Sequence, residues 1–317
     1  MVTLKNDADI IKLSDNKYDY GLALLRIWMC FEVILDHFMS FGVQNRYELS
    51  KFQRPFYDFG GIAVPIFMIL AFSFTDVSKL AGDKWKTKKR IYRLLVPYAF
   101  WNILYYIIYS IIQLNNDSNI ELVHGISDLV WQFLFGSAIN ASLWFQMDLI
   151  VISFLFILLY RIFDSKAADK IVVVIAFIAI VLQYKGLHSK LCIIEYPNSL
   201  FGYYFESRYF IYTVVRFFEM LPMAAVGVLI CRYRLFKTYA IKQTVIKIIV
   251  LAIILKVLLG TDFFLVPYGL GYQGLNVVII AVITIFLFHY LPLNLLPDTI
   301  KQIILTVAST TMPIYYT

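Results

Sequence analysis

Apolar runs of about 20 residues determine what this chain can fold into, because an α-helix of that length spans the apolar core of a membrane. Hydrophobic residues make up 61% of the 317 residues and charged residues only 15%, whereas soluble domains carry about 25% charged residues. Membrane barrels would show alternation over ~10-residue strands, and the sequence has no such pattern. We therefore predict an all-α, polytopic bundle of transmembrane helices. The clearest runs are Leu94–Leu114, Leu143–Phe163, Ile241–Gly260 and Leu275–Tyr290.

The distribution of lysine and arginine predicts the orientation of these spans. We expect about nine or ten spans, the clearest near residues 21–41, 58–76, 94–114, 143–163, 171–184, 209–231, 241–260 and 275–291, with a last segment from about 300. Basic residues occur in the N-terminal stretch and in the predicted loops at 77–93, 161–170 and 232–242, but not at 115–142 or 261–274. Because cytoplasmic loops carry the excess of basic residues, the N-terminus is predicted to be cytoplasmic. Two further apolar stretches, Leu129–Ile139 and Leu191–Tyr204, are interfacial, re-entrant or spanning.

The sequence has no internal repeat and no segment of soluble-domain composition, so it predicts one membrane domain over residues 1–317. The net charge of +7 lies in short loops between spans, so it indicates orientation and contact with membrane lipid, not a nucleic-acid partner. Cys30, Cys192 and Cys231 lie far apart, in neither a disulfide framework nor a metal-ligand spacing. We interpret them as packing residues and expect no metal.

Two ionisable residues in the first span indicate a functional site. Ten residues separate Arg26 from His37, so the two side chains differ by about 20° around a helix and by about 16 Å along it. Glu32 and Asp36 lie in the same span. An ionisable residue at the centre of a membrane helix costs about 2.5–3.5 kcal/mol on insertion scales. A helix that served only as an anchor would not carry four such residues.

His37 has the chemistry that acyl transfer to an alcohol requires. An imidazole, with an ordinary pKa near 6.5, can take a proton from a hydroxyl group and return it. The alternative is an interhelical hydrogen bond without a catalytic role. Asp36 and Glu32 are four residues apart, so either carboxylate can orient the imidazole or pair with an arginine.

Two further groups of polar residues have both functional and structural interpretations. The basic run Lys84–Arg93, which includes Lys89, Arg90 and Arg93, can bind the phosphates of a charged cofactor. It can equally fix topology and touch anionic lipid. Arg216 and Glu219 are spaced as a helical ion pair, which suits a scaffold or a site wall. Trp144 opens the fourth span, where tryptophan is common at the membrane interface.

In combination and in order, these features resemble the bacterial membrane acyltransferase-3 family, of the type that O-acetylates surface polysaccharides. The second helix departs from the family pattern, since Ala71-Phe72 stands where Ser-Gly is usual. The resemblance lies in Arg26 and His37, the segment Gly61–Phe67, the arginines of Arg90–Pro97, the Leu-Trp-Phe of Leu143–Phe145, and the terminal Ile314–Thr317. The terminal segment also departs from the pattern, because Thr317 stands before the position of the family's histidine, so the resemblance implies a final helix that is cut short.

The resemblance implies a multi-pass enzyme of the bacterial cytoplasmic (inner) membrane. It would move an acetyl or other acyl group from acyl-CoA, without a metal, to a hydroxyl of a surface polysaccharide or lipid-linked sugar. Two alternatives stay open: a transporter or flippase for a lipid-linked sugar, and a truncated, inactive acyltransferase-like protein. The predicted site residues are His37, Arg26 and Asp36 for catalysis, Arg90, Arg93 and Lys89 for the donor, and Trp144, Glu219 and Arg216 for the acceptor.

Overall fold

The computed structural model of the chain describes residues 12–13, 17–40, 54–115, 126–135, 143–184, 205–236, 246–254 and 275–310. These residues confirm the all-α class, since almost all of them are helical and strands occur only where Lys12–Leu13 (β1) pairs antiparallel with Lys17–Tyr18 (β2). A short 3₁₀ turn, Leu293–Leu295, and a helical segment at 246–254 complete the described elements. The labelled helices are α1 (Tyr20–Ser40), α2 (Arg54–Ser73), α3 (Val77–Gly82), α4 (Lys84–Asn115), α5 (Ile126–Phe135), α6 (Trp144–Ile162), α7 (Ser165–Tyr184), α8 (Phe205–Arg232), α9 (Leu275–His289) and α10 (Asp298–Thr310).

Within the described ranges, three helical stretches are long and apolar enough to cross a membrane: Lys84–Leu114, Trp144–Ile162 and Thr213–Arg232. Ile62–Ser73 and Leu275–His289 are shorter apolar helices. The prediction of membrane helices is therefore confirmed, while the count of nine or ten spans and the cytoplasmic N-terminus stay predictions. The stretch Leu191–Tyr204, Cys192 and the terminal Ile314–Thr317 lie outside the described residues.

The prediction of a loop over the basic run 84–93 is wrong, because these residues form the first turns of α4. Lysine and arginine are good helix formers, and Asp83 caps the helix by accepting hydrogen bonds from the backbone N–H groups of Trp85 and Lys86 at 3.0 and 3.1 Å. The predicted loop at 161–170 is also shorter than expected, because α6 ends at Ile162 and α7 begins at Ser165. Asp164 caps α7 through the backbone N–H groups of Lys166 and Ala167 at 2.9 and 3.0 Å.

The chain divides into two compact units: a first unit of Met1–Asp76 with Met223–Tyr316, and a second unit of Val77–Pro222. Helix α8 contributes to both units, and Pro222 lies where it passes from one to the other. The prediction of a single domain over 1–317 stays a prediction.

In the first unit, α1 packs against α2, α9 and α10. Ala23 of α1 is completely buried against Ile304 and Ala308 of α10. Two glycines let backbones touch, because a Cβ at Gly21 would overlap the carbonyl oxygen of Phe288 and one at Gly227 that of Ile69. Small residues of this kind allow the close helix packing that is common in membranes.

In the second unit, polar side chains reach from one helix to the carbonyl groups of another. The Tyr98 hydroxyl of α4 lies 2.9 Å from the carbonyl oxygen of Gln132 and 3.0 Å from that of Phe133, both in α5. The Gln146 amide of α6 donates to the Leu94 carbonyl at 3.2 Å, and that of Gln183 in α7 donates to the Phe218 carbonyl at 2.8 Å. Such bonds satisfy polar groups that have no water to bind in an apolar interior.

Candidate active site

Helix α1 carries the predicted catalytic residues on one uninterrupted stretch, Tyr20–Ser40. The helix has the continuity on which the shared face of Arg26 and His37 depends. Arg26 is 5% exposed and Glu32 is fully buried, so α1 holds ionisable groups inside the first unit. The backbones of Asp36 and His37 lie in the last turns of α1, and their side chains lie outside the part that the structure describes.

The three predicted acceptor residues come together in the second unit. Arg216 Nη1 lies 3.3 Å from Glu219 Oε2 within α8, and both side chains are less than one tenth exposed. The Arg216 guanidinium also lies 4.8 Å from the centre of the Trp144 ring, at the start of α6. A cation over an aromatic ring gains about 2 kcal/mol when it is desolvated. The tryptophan is therefore part of a buried charged cluster.

Asp148 belongs to the same cluster, although it was not among the predicted site residues. It lies one helical turn after Trp144, is 2% exposed, and interacts electrostatically with both Arg216 and Glu219. Its Oδ2 atom makes no hydrogen bond with the described residues. Its spacing from Trp144 is a helical i, i+4 signal that the sequence already contained. The cluster thus holds two carboxylates and one guanidinium.

The three predicted donor residues take different directions on the first turns of α4. Arg90 points inward, with Nη2 3.4 Å from the Ser153 hydroxyl of α6. Lys89 is exposed, and its ammonium lies 5.1 Å from the ring centre of the exposed Trp85. Arg93 is exposed as well. Lys89 and Arg93 are therefore accessible to a ligand, whereas Arg90 connects two helices.

A second histidine was missed as a functional candidate, because its position at a helix end made it look unremarkable in sequence. His289 ends α9, and its Nδ1 lies 2.5 Å from Asp19 Oδ2. No sequence signal joins two residues that are 270 positions apart. Within the described ranges, no group of three or more His, Cys, Asp or Glu side chains could hold a metal. The expected absence of a metal stays a prediction.

These features define an integral membrane protein with ionisable residues buried inside apolar helices, which is typical of membrane enzymes and transporters. The family comparison favours the membrane enzymes. The sequence model of the acyltransferase-3 family, which describes an acyltransferase domain, matches residues 19–317. The chain belongs to the acyltransferase-3 family, and the match covers nearly all of it. Searches of curated proteins and of solved structures give no match.

Membership of this family places the chain among the membrane acyltransferases and favours that class over the transporter alternative. The matched region includes α1 with Arg26 and His37, the basic turns of α4 and the cluster around Trp144. The roles of the individual residues, the acyl donor and the acceptor stay predictions.

Proposed function

We propose that this protein transfers an acetyl or other acyl group from acyl-CoA to a hydroxyl of a surface polysaccharide or lipid-linked sugar, in the bacterial cytoplasmic membrane. The observation that carries the proposal is the unbroken helix α1, which holds Arg26 and His37 within a chain of an acyltransferase family. With the N-terminus in the cytoplasm, Arg26 lies nearer the donor end of α1 and His37 nearer the acceptor end. About 16 Å of helix separates them, which suits a donor and an acceptor that arrive from opposite sides.

His37 is the proposed general base. Its imidazole takes the proton of the acceptor hydroxyl, and the oxygen attacks the thioester carbonyl carbon. A C–O bond forms, the C–S bond breaks, and coenzyme A leaves as a thiolate that receives the proton from the imidazolium. Alternatively, the imidazole nitrogen carries the acyl group briefly and passes it to the hydroxyl. Asp36 would orient the imidazole, and Arg26 would hold the donor in line.

The donor would bind to the exposed cations on the first turns of α4. Lys89 and Arg93 are exposed, and they belong to a basic stretch that begins the helix. Coenzyme A carries several phosphate groups, which lysine and arginine bind through charge-assisted hydrogen bonds. Arg90 donates to Ser153, so its contribution to the donor site is to hold α4 against α6.

The acceptor would bind at the cluster of Trp144, Arg216 and Glu219. An aromatic ring packs against the apolar face of a sugar, and carboxylate and guanidinium groups hydrogen-bond its hydroxyls. The supporting observation is the buried contact of Arg216 with both Glu219 and the Trp144 ring. Held on two helices, these groups are already ordered before a sugar arrives.

Acyl transfer from labelled acetyl-CoA tests the proposal in membranes that contain the chain. We expect label in the glycan fraction that mild base releases, because O-acetyl esters are labile to base and N-acetyl amides are not. Label that resists base would contradict transfer to a hydroxyl. Label that enters the cells' glycans equally well in membranes without the chain would contradict any role for this protein.

The donor site has its own test in the Lys89→Gln and Arg93→Gln variants. Each is expected to raise KM for acetyl-CoA by up to about tenfold with kcat little changed, because the lost contact binds substrate and transition state alike. Acetyl-dephospho-CoA should show less difference between wild type and variants. The matched control is Lys170→Gln, which removes an exposed lysine on α7. A KM for acetyl-CoA that is the same in Lys89→Gln, Arg93→Gln and the control would show that the donor does not bind at Lys89 and Arg93.

A further inference from the structure

Aspartate caps begin the helices α1, α4 and α7, and the cap of α1 differs from the other two. Asp83 and Asp164 cap α4 and α7 at the surface through backbone N–H groups, and Asp83 also pairs with the exposed Lys86 of its own helix at 3.1 Å, so neither carboxylate bonds to another of the described helices. Asp19 caps α1 by accepting the Leu22 N–H on Oδ1 at 2.9 Å, but it is buried and has a second partner on Oδ2. A cap requires one oxygen, so the second contact has another effect.

The second partner is His289, the last residue of α9. Its Nδ1 lies 2.5 Å from Asp19 Oδ2, and both side chains are 5% exposed. The imidazole is held between aromatic rings, with centres 4.9 Å away at Phe236 and 5.0 Å away at Tyr290. The ring therefore cannot turn without repacking its neighbours. This contact joins the first turn of α1 to the last turn of α9.

The backbones of the two helices meet at the same place. A Cβ at Gly21 would overlap the carbonyl oxygen of Phe288, the residue before His289. Since main chains are in van der Waals contact, α1 cannot move closer to α9 at this end. The Asp19–His289 hydrogen bond opposes the opposite movement, because separation of the two helix ends would break it.

We propose that Asp19 and His289 are a positioning pair, which sets the axial position and rotation of α1 and thereby places Arg26 and His37 for acyl transfer. The inference rests on the proposed function. A shift of α1 by one residue corresponds to 1.5 Å along the axis and 100° around it. A misplacement of 1 Å at a reacting group can lower a rate about 100-fold.

Two histidine substitutions separate the hydrogen bond from simple filling of space. In His289→Asn, the side-chain NH₂ group lies near the position of Nδ1, so it can still donate to Asp19. In His289→Gln, the longer side chain carries its NH₂ group toward the position of Nε2, away from Asp19. Asp19→Asn keeps the cap, since asparagine and aspartate cap equally well, but it replaces the oxygen that faces His289 Nδ1 with an NH₂ group. The matched control is Asp164→Asn, an exposed cap on α7.

Label transfer from radiolabelled acetyl-CoA is measured for each variant of the full chain in membranes, at equal amounts of inserted protein. We expect His289→Gln and Asp19→Asn to lower kcat about tenfold or more, with KM for acetyl-CoA unchanged. His289→Asn is expected to stay within about threefold of wild type, and Asp164→Asn to match wild type. Equal activity of His289→Gln and wild type would overturn the inference, as would equal losses in His289→Asn and His289→Gln.

Hydrogen exchange of the α1 backbone gives a readout that does not depend on activity. We expect the amides of Leu22 and Ala23 to exchange faster in His289→Gln than in wild type, and to keep wild-type protection in His289→Asn. Unchanged exchange in every variant would overturn the inference even if activity fell. If wild type itself transfers no label, the proposed function fails, and the exchange rates still decide whether the pair fixes α1.

Discussion

The first unit and the second unit differ in how closely the backbones of their described helices approach one another. In the first unit, Gly21 and Gly227 allow backbones to touch. In the second unit, side chains such as Tyr98 and Gln146 reach across to carbonyl groups. Backbone contact leaves no room for adjustment, whereas a side chain can change rotamer. The predicted catalytic helix α1 therefore lies in the unit with close backbone contact, and the predicted donor and acceptor residues lie in the unit with bonds from side chains to carbonyl groups.

Buried ionisable groups occur in both units. The first unit holds Arg26 and Glu32 on α1 and the contact of Asp19 with His289 between α1 and α9. In the second unit, Arg216 of α8 contacts Glu219 of the same helix and Trp144 of α6 in one cluster. A charge cluster that joins two helices stabilises the unit only while every member is present. Stability should therefore be most sensitive to substitution at this cluster.

The largest effect is expected for Glu219→Ala, which removes the carboxylate that lies 3.3 Å from the buried Arg216 guanidinium. Removal of one member of a buried pair costs about 3–5 kcal/mol. We expect a clear fall in the thermal unfolding temperature of the protein in detergent. A variant with both residues replaced, Arg216→Met with Glu219→Leu, should be more stable than Glu219→Ala. Equal unfolding temperatures for the single variant and wild type would show that the pair does not stabilise the second unit.

In the first unit, Gly227→Ala is expected to cost about 1–3 kcal/mol of stability, because its methyl group would press on the Ile69 carbonyl oxygen and on Phe72. The measurement is again thermal unfolding in detergent. Gly82→Ala is the matched control, since a Cβ there would have nothing within 4 Å. If both variants unfold at the same temperature, close backbone contact does not hold the first unit together.

A smaller effect is expected for Tyr98→Phe in the second unit. The change removes the hydroxyl that lies 2.9 Å from the Gln132 carbonyl oxygen, and an intramolecular hydrogen bond contributes about 1 kcal/mol. The ring keeps its edge-on contact with Phe133. Tyr92→Phe, on an exposed part of the same helix, controls for loss of a hydroxyl. An unchanged unfolding temperature for Tyr98→Phe, with a lowered one for Tyr92→Phe, would show that the Tyr98 hydrogen bond does not stabilise the second unit.

The smallest effect is expected at Asp83, whose carboxylate caps α4 at the surface. Hydrogen bonds from the Lys86 backbone N–H and from its ammonium group lower the pKa of Asp83 below its ordinary value of 3.8. The folded pKa thus lies below the unfolded one, so the stabilisation is complete above the unfolded pKa and is lost as the pH falls through the folded pKa. Unfolding at pH 7 and at pH 3 should differ less in Asp83→Ala than in wild type.

The sequence predicted helices well where apolar periodicity was unbroken. The predicted spans at 143–163 and 209–231 correspond to Trp144–Ile162 and Phe205–Arg232. The prediction failed at 84–93, where the run of charged residues was interpreted as a loop. Lysine and arginine favour helices, and Asp83 caps the helix that they begin.

Tertiary contacts could be predicted only in part. The i, i+3 spacing of Arg216 and Glu219 predicted their ion pair, but only the fold shows that Trp144 lies over Arg216. Asp19 and His289 could not be joined from sequence, because local periodicity carries no information about residues that meet through packing of distant helices. The buried pair therefore came from the structure alone.

The most direct test of the central claim is transfer of label from radiolabelled acetyl-CoA in membranes, with wild type compared with His37→Ala at equal insertion. The account predicts base-labile label in the glycan fraction with wild type and its loss with His37→Ala, because the general base would be gone. Equal label from both proteins would contradict the assignment of catalysis to His37 on helix α1.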